Sequence, residues 1–147
     1  MQKYIIIRED DICYFTKPQV LELIYKPLLE LNLPVNLSVI PMVSCKLDKH
    51  FIDPSYRGKK DLCFEIGQNE DLVDFIKQYN LEVLQHGLTH EYFPRTSKVV
   101  LEYRTLNFVP EFGIHNKNEI MRRAKLGMKI LYKTCLLYTS DAADDGE

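Results

Sequence analysis

Two histidines, His86 and His90, stand four residues apart in the stretch Leu81-Glu82-Val83-Leu84-Gln85-His86-Gly87-Leu88-Thr89-His90-Glu91. Neutral imidazole is the commonest metal ligand among side chains, and borderline ions such as zinc favour it. Leu81, Val83 and Leu84 predict a short strand entered from a turn at Asn80. A strand that runs into two imidazoles rather than into a turn needs a chemical reason. Gly87 occupies the place where an H-E-x-x-H protease helix carries its glutamate, so the spacing reads as a strand-end loop or a single helical turn. An isolated pair of this kind is more often one surface histidine and one hydrogen-bonded core histidine. A metal reading therefore needs a third ligand from elsewhere in the chain.

The N-terminus offers one. Ile5-Ile6-Ile7 is a continuous apolar run, which predicts a parallel strand over Lys3–Arg8 covered on both faces. It leads directly into Glu9-Asp10-Asp11. Carboxylates at the carboxyl end of a buried parallel strand lie where α/β folds place their chemistry. Adjacent carboxylates repel unless a cation sits between them or one keeps a proton. The competing reading is a solvated acidic turn, the usual fate of a short charge run. His50 stands in a stretch with nothing to frame it as a ligand, and a surface position is expected.

The elements that must position these groups follow in order. Thr16-Lys17-Pro18-Gln19 has the form of a capping box, with Thr16 as the cap. Val20, Leu21, Ile24, Leu28, Leu29 and Leu31 then make the apolar stripe of a helix that Pro27 should kink or split. Asn32-Leu33-Pro34 ends it, and Val35–Ile40 is the second strand. Residues 41–60 read as a long loop on the side of the acidic residues, and Asp61–Ile66 as a short strand or an irregular segment. Asn69 caps a second helix with Glu70 and Asp71 in its first turn and Leu72, Val73, Phe75, Ile76 and Tyr79 on its buried face. Tyr92 to Phe112 is aromatic and irregular, a long connection or a binding loop. Asn116-Lys117-Asn118-Glu119 is a second capping box. It opens a helix with Ile120, Ala124, Met128 and Leu131 inward and Arg122, Arg123, Lys125 and Lys129 on a solvated face.

Composition sets the class. A chain of 147 residues that is 46% hydrophobic and 27% charged is ordinary for one globular domain. A net charge of −2 gives no basic footprint for nucleic acid or anionic lipid. No apolar run is long enough to span a bilayer, and the N-terminal run is too short for a signal-peptide core, so the cytoplasm is the expected compartment. Cys13, Cys45, Cys63 and Cys135 form no C-x-x-C pattern, which argues against zinc ribbons and thioredoxin-like chemistry and for reduced thiols.

A strand followed by Arg8-Glu9-Asp10-Asp11, and later a strand followed by His86-Gly87-Leu88-Thr89-His90, resembles the first two motifs of the NodB-like polysaccharide deacetylase superfamily. The long insert with Glu111-Phe112 and the basic helix after it resemble an uncharacterised bacterial branch. The resemblance spans Lys3 to about Tyr132. It implies an α/β fold, the N-terminal part of a distorted (β/α)7 barrel, truncated. It implies Asp11, His86 and His90 as a metal triad for a divalent ion, zinc above all, and Asp10 as the general base. The implied substrate is an N-acetylated or O-acetylated sugar, from which acetate is released. Glu9 departs from the apolar residue or Asp usual in the first motif, and Ile12 from the glycine that often follows the Asp pair. The family's later Arg-Pro strand and its late histidine acid have no counterpart in this sequence. Two domains of description follow: residues 1–134 as a partial deacetylase-like catalytic domain, expected to be inactive as it stands, and residues 135–147 as a non-native tail that resembles translated sequencing adapter. Two other classes compete: a carbohydrate-binding relative without catalysis, and a glycosidase-type barrel. The glycosidase requires a carboxylate pair flanking the sugar, and no second acid is well placed before Glu111.

Overall fold

A computed structural model describes residues 5–46, 50–94, 108–110, 116–134 and 136. The elements run β1 (Ile7–Ile12), α1 (Pro18–Glu30), β2 (Val35–Val39), β3 (Met42–Ser44), β4 (Cys63–Glu65), a 3-10 turn (Ile66–Gln68), α2 (Glu70–Gln78), β5 (Glu82–Gln85), β6 (Tyr92–Pro94), β7 (Phe108–Pro110) and α3 (Lys117–Lys133). Three of the strands form a parallel sheet in the order β1-β2-β5. Two antiparallel pairs, β3-β4 and β6-β7, stand apart from it. Glu111, most of the aromatic stretch and all of the 135–147 segment except Leu136 lie outside the described residues.

The barrel expectation is corrected by this topology. Barrel closure needs every strand bonded on both sides at a common tilt and stagger. Here the parallel sheet has three strands and no closure among the described residues. The chain between β2 and β5 makes the β3-β4 hairpin instead of adding a parallel strand. The fold is mixed α/β with a small open parallel sheet. Motifs at two strand ends carry information about those strand ends only, and the neighbours of a strand are set by long-range pairing.

The centre of the sheet is β2, whose Val35, Leu37 and Val39 are at most 1% exposed. Each such side chain contributes roughly 1.5–3 kcal/mol on burial. The first strand differs from expectation: pairing begins at Ile7↔Val35, and Ile5 and Ile6 are 89% and 79% exposed. Upstream of Val35 stands Pro34, which has no N–H to offer a ladder, and pairing instead runs through the acidic residues to Ile12↔Val39.

Helix α1 starts on Pro18, whose fixed φ suits a first turn. Thr16 is not its cap: Lys17 holds that position without a side-chain bond, and the Thr16 hydroxyl accepts from the Cys13 N–H at 3.0 Å. Pro27 lies inside a helix that continues through it. The carbonyl left without a donor belongs to Leu23, on a turn whose side chain is 82% exposed, where water can serve it. Leu21 and Leu29 are buried, while Val20, Ile24 and Leu31 of the expected stripe are exposed. Both α1 and α2 end alike, with Asn32 and Asn80 in the left-handed region at φ 52° and 50°. The residue after each, Leu33 or Leu81, bonds back to the Leu28 or Ile76 carbonyl.

Asn69 caps α2 as expected, accepting from the Leu72 N–H at 3.1 Å. Its amide also donates to the Tyr14 and Thr16 carbonyls at 2.7 and 3.0 Å, which ties α2 to the loop after β1. Leu72, Val73, Phe75 and Ile76 pack with β2, β5, Ile130, Leu131 and Leu136 in the main core. A second cluster of Cys13, Ile40, Val43, Cys45 and Ile52, edged by Tyr14, Phe15, Phe51, Tyr56 and Phe64, lies under the carboxyl ends of the sheet strands.

Candidate metal centre

The bulge in β1 is where the site begins. Glu9 pairs with Leu37 and Ile12 with Val39, so Asp10 and Asp11 together stand opposite the single residue Ser38. An extra residue in a ladder bends the strand and re-aims its side chains, and such bulges recur beside active sites. Asp11 takes φ 61° there. The two aspartates therefore escape the strict alternation of an extended strand.

The second half comes from the end of β5. The His86 N–H donates to the Val39 carbonyl at 2.7 Å, continuing the sheet, and Gly87 then turns at φ 67°. The Met42 and Ser44 N–H groups of β3 donate to the Leu88 and Thr89 carbonyls at 3.0 and 3.2 Å, so the histidine loop lies along β3. His90 ends it at φ 55°. The Gln85 amide donates to the Gly87 carbonyl at 2.8 Å and rests against Gly127 of α3.

These devices bring Asp11, His86 and His90 together. One oxygen of Asp11 lies 3.1 Å from His86 Nε2 and 3.0 Å from His90 Nε2, and one ligand atom from each residue falls within 4.8 Å of the others. Metal–nitrogen bonds of about 2.0–2.1 Å in a tetrahedron put neighbouring donors about 3.3 Å apart, so two carboxylate–imidazole edges are already near that length. One hard oxygen and two imidazole nitrogens suit zinc and leave positions for water and substrate. The side chains are 30%, 37% and 13% exposed, open on the His86 side. Phe51 meets the His90 ring edge to face at 5.5 Å, which fixes the orientation of the more buried histidine.

Asp10 turns to a different set of partners. Its carboxylate accepts from Arg8 Nη2 at 2.9 Å. What burial it has would raise its pKa, but hydrogen bonds from Ser38 and Arg8, with the charges of Arg8 and His86, outweigh that and hold it below the usual value. It is thus an ionised carboxylate beside the triad. Glu9 is engaged elsewhere, accepting a hydrogen bond from the Tyr25 hydroxyl of α1. His50 is exposed, in ring contact with Phe51 and not within the triad. Among the described residues no thiol falls within the triad, and burial pushes Cys13 up to about 11 and raises Cys45 and Cys63 as well.

Two residues at the site escape sequence reading. Glu91, the neighbour of His90, is only 16% exposed and accepts from Ser44 and Thr89 hydroxyls at 3.2 and 3.1 Å. Arg123, expected on a solvated face, is 11% exposed and reaches Glu91 at 3.5 Å. Glu91 had a signal in the sequence, a carboxylate directly after the motif. Arg123 had a fainter one: three residues after Ile120 and eight before Leu131, it lies nearer the apolar face than Arg122 does. Among the described residues no helix is long and apolar enough to cross a membrane. Compared with models of protein families, with curated proteins and with solved structures, the chain matches none.

Proposed function

We propose that this protein is a metal-dependent hydrolase that removes acetyl groups from N- or O-acetylated sugars, with Asp11, His86 and His90 holding one divalent ion, zinc by the choice of donors, and Asp10 as general base. The observation that carries the metal part is the convergence of three donors from two strand ends, two of them on residues in the left-handed region. A non-glycine residue there costs on the order of 1 kcal/mol or more, and such positions cluster at functional sites. A divalent ion held by this set supplies Lewis acidity that polarises a carbonyl and makes water acidic near neutral pH. Asp11 contributes the anionic donor and the two imidazoles contribute neutral ones. Asp10, ionised and about half exposed, is near enough to His86 to feel its charge and can accept a proton from water. Release of the acetyl group as acetate and the carbohydrate substrate follow from the resemblance to polysaccharide deacetylases, and a cytoplasmic location rests on the sequence alone.

Cobalt(II) uptake, followed by its visible absorption, tests the centre directly and separately from turnover. The wild-type protein should bind one ion tightly. Asp11→Asn should weaken uptake by at least tenfold, and Asp10→Asn should leave it intact. Equal loss in both variants would place the two carboxylates together around the ion and remove the base assignment. Acetate, the product of either deacetylation, should then shift the cobalt spectrum at millimolar concentration. A spectrum indifferent to acetate would count against acetyl chemistry while leaving the metal centre standing.

A further inference from the structure

The nearly buried carboxylate of Glu91 connects the histidine loop to β3 and to α3. One oxygen takes the Ser44 hydroxyl of β3 at 3.2 Å, with Lys46 Nζ at 4.0 Å. The other takes the Thr89 hydroxyl at 3.1 Å and Arg123 Nη2 at 3.5 Å. Arg123 Nε in turn lies 3.3 Å from Glu119, which also accepts from Arg122 Nε and Nη2, each at 2.7 Å. Glu91 directly follows His90, the ligand whose backbone sits at φ 55°. A left-handed residue relaxes unless both sides are held. On its N-terminal side the β3 N–H groups hold Leu88 and Thr89. On its C-terminal side the Glu91 carboxylate ties the chain to β3 and α3, one residue before β6 pairs with β7.

We propose that Glu91 and Arg123 are positioning residues for the metal site: the Arg123–Glu91 pair clamps the chain just after His90 and makes metal affinity depend on the docking of α3. The inference rests on the Asp11-His86-His90 reading. At 16% and 11% exposure the pair is screened far less than a surface ion pair, so it sets geometry rather than decorating the helix. Neither group touches the ion. Their effect passes through the His90 backbone, as hydrogen-bonded groups outside a ligand set commonly do, at 10–100-fold in affinity.

Cobalt titration of four proteins tests this: wild type, Arg123→Met, Glu91→Gln and the double variant, each with its thermal unfolding recorded without metal. Arg123→Met is expected to weaken cobalt binding about tenfold or more, to change the visible band shape, and to add little once Glu91 is Gln. Arg123→Lys, which restores the charge beside Glu91, should recover part of the affinity. The clamp is overturned if Arg123→Met keeps wild-type affinity and spectrum, whatever its melting temperature. It is overturned equally if the Arg123 and Glu91 effects on affinity simply add. If Arg123→Met does not fold, failure of Arg123→Lys to differ from wild type while Glu91→Gln also binds normally overturns it. Absence of cobalt uptake by the wild type would remove the metal reading and this inference together, an outcome distinct from normal uptake by every variant.

Discussion

Substituting Gly127 by alanine probes how α3 supports the histidine loop. A Cβ built on Gly127 lies 2.2 Å from Nε2, 2.7 Å from Cδ and 3.1 Å from Oε1 of Gln85. No atom can stay at 2.2 Å, so the Gln85 amide must leave, and with it the 2.8 Å bond to the Gly87 carbonyl between the two histidines. Losing that bond costs about 0.5–1.5 kcal/mol, and residual overpacking adds on the order of 1 kcal/mol. Alanine inside a helix gains about 1 kcal/mol over glycine. Gly127→Ala should therefore be about 1 kcal/mol less stable than wild type. With Gln85→Ala already present the three atoms nearest the methyl group are gone, and the same substitution should stabilise by about 1 kcal/mol. Urea unfolding of the four proteins gives the coupling directly, expected near 2 kcal/mol. Effects that add to within about 0.5 kcal/mol would refute the packing of α3 on the loop.

Three further outcomes follow from single contacts. Burial, with the hydrogen bond to Glu9 and its charge, raises Tyr25 to about 12, so its contribution is complete below pH about 10 and is lost as pH rises toward 12. Tyr25→Phe should accordingly be less destabilised than wild type by moving from pH 9 to pH 11, and identical pH slopes for the two proteins would refute this. Leu136 is 6% exposed and its N–H bonds to the Leu131 carbonyl. Leu136→Ala should cost about 2 kcal/mol or more in denaturant unfolding, whereas a silent substitution would show that its core contact carries no weight. Asn69→Ala removes both the α2 cap and the link to the loop after β1. A loss of about 1–2 kcal/mol is expected, and a loss below a few tenths would mean the link to Tyr14 and Thr16 is incidental.

The sequence by itself determined the local signals. Asn69 and Asn116 were legible as caps because capping is a contact between residues three apart. The α2 core face was legible from its period, and the histidine pair and the acidic run from their chemistry and their places at strand ends, while the choice of Asp11 within that run came from the resemblance. What depends on partners distant in the chain was not legible. The register of β1 against β2 decides that Ile5 and Ile6 stay exposed and that Asp10 and Asp11 share a bulge opposite Ser38. That bulge is why adjacent aspartates need not point to opposite faces. The β3-β4 hairpin, which stands where a barrel would place a parallel strand, is likewise a matter of which strand finds which. Arg122 and Arg123 have the same charge and lie about 100° apart around the helix; the period puts Arg123 nearer the buried face, but only the docking of α3 brings it, at 11% exposure, to Glu91. Local sequence fixes which groups are available, and tertiary pairing fixes where they meet, because the energy of a buried ion pair or a strand register exists only once both partners are in place.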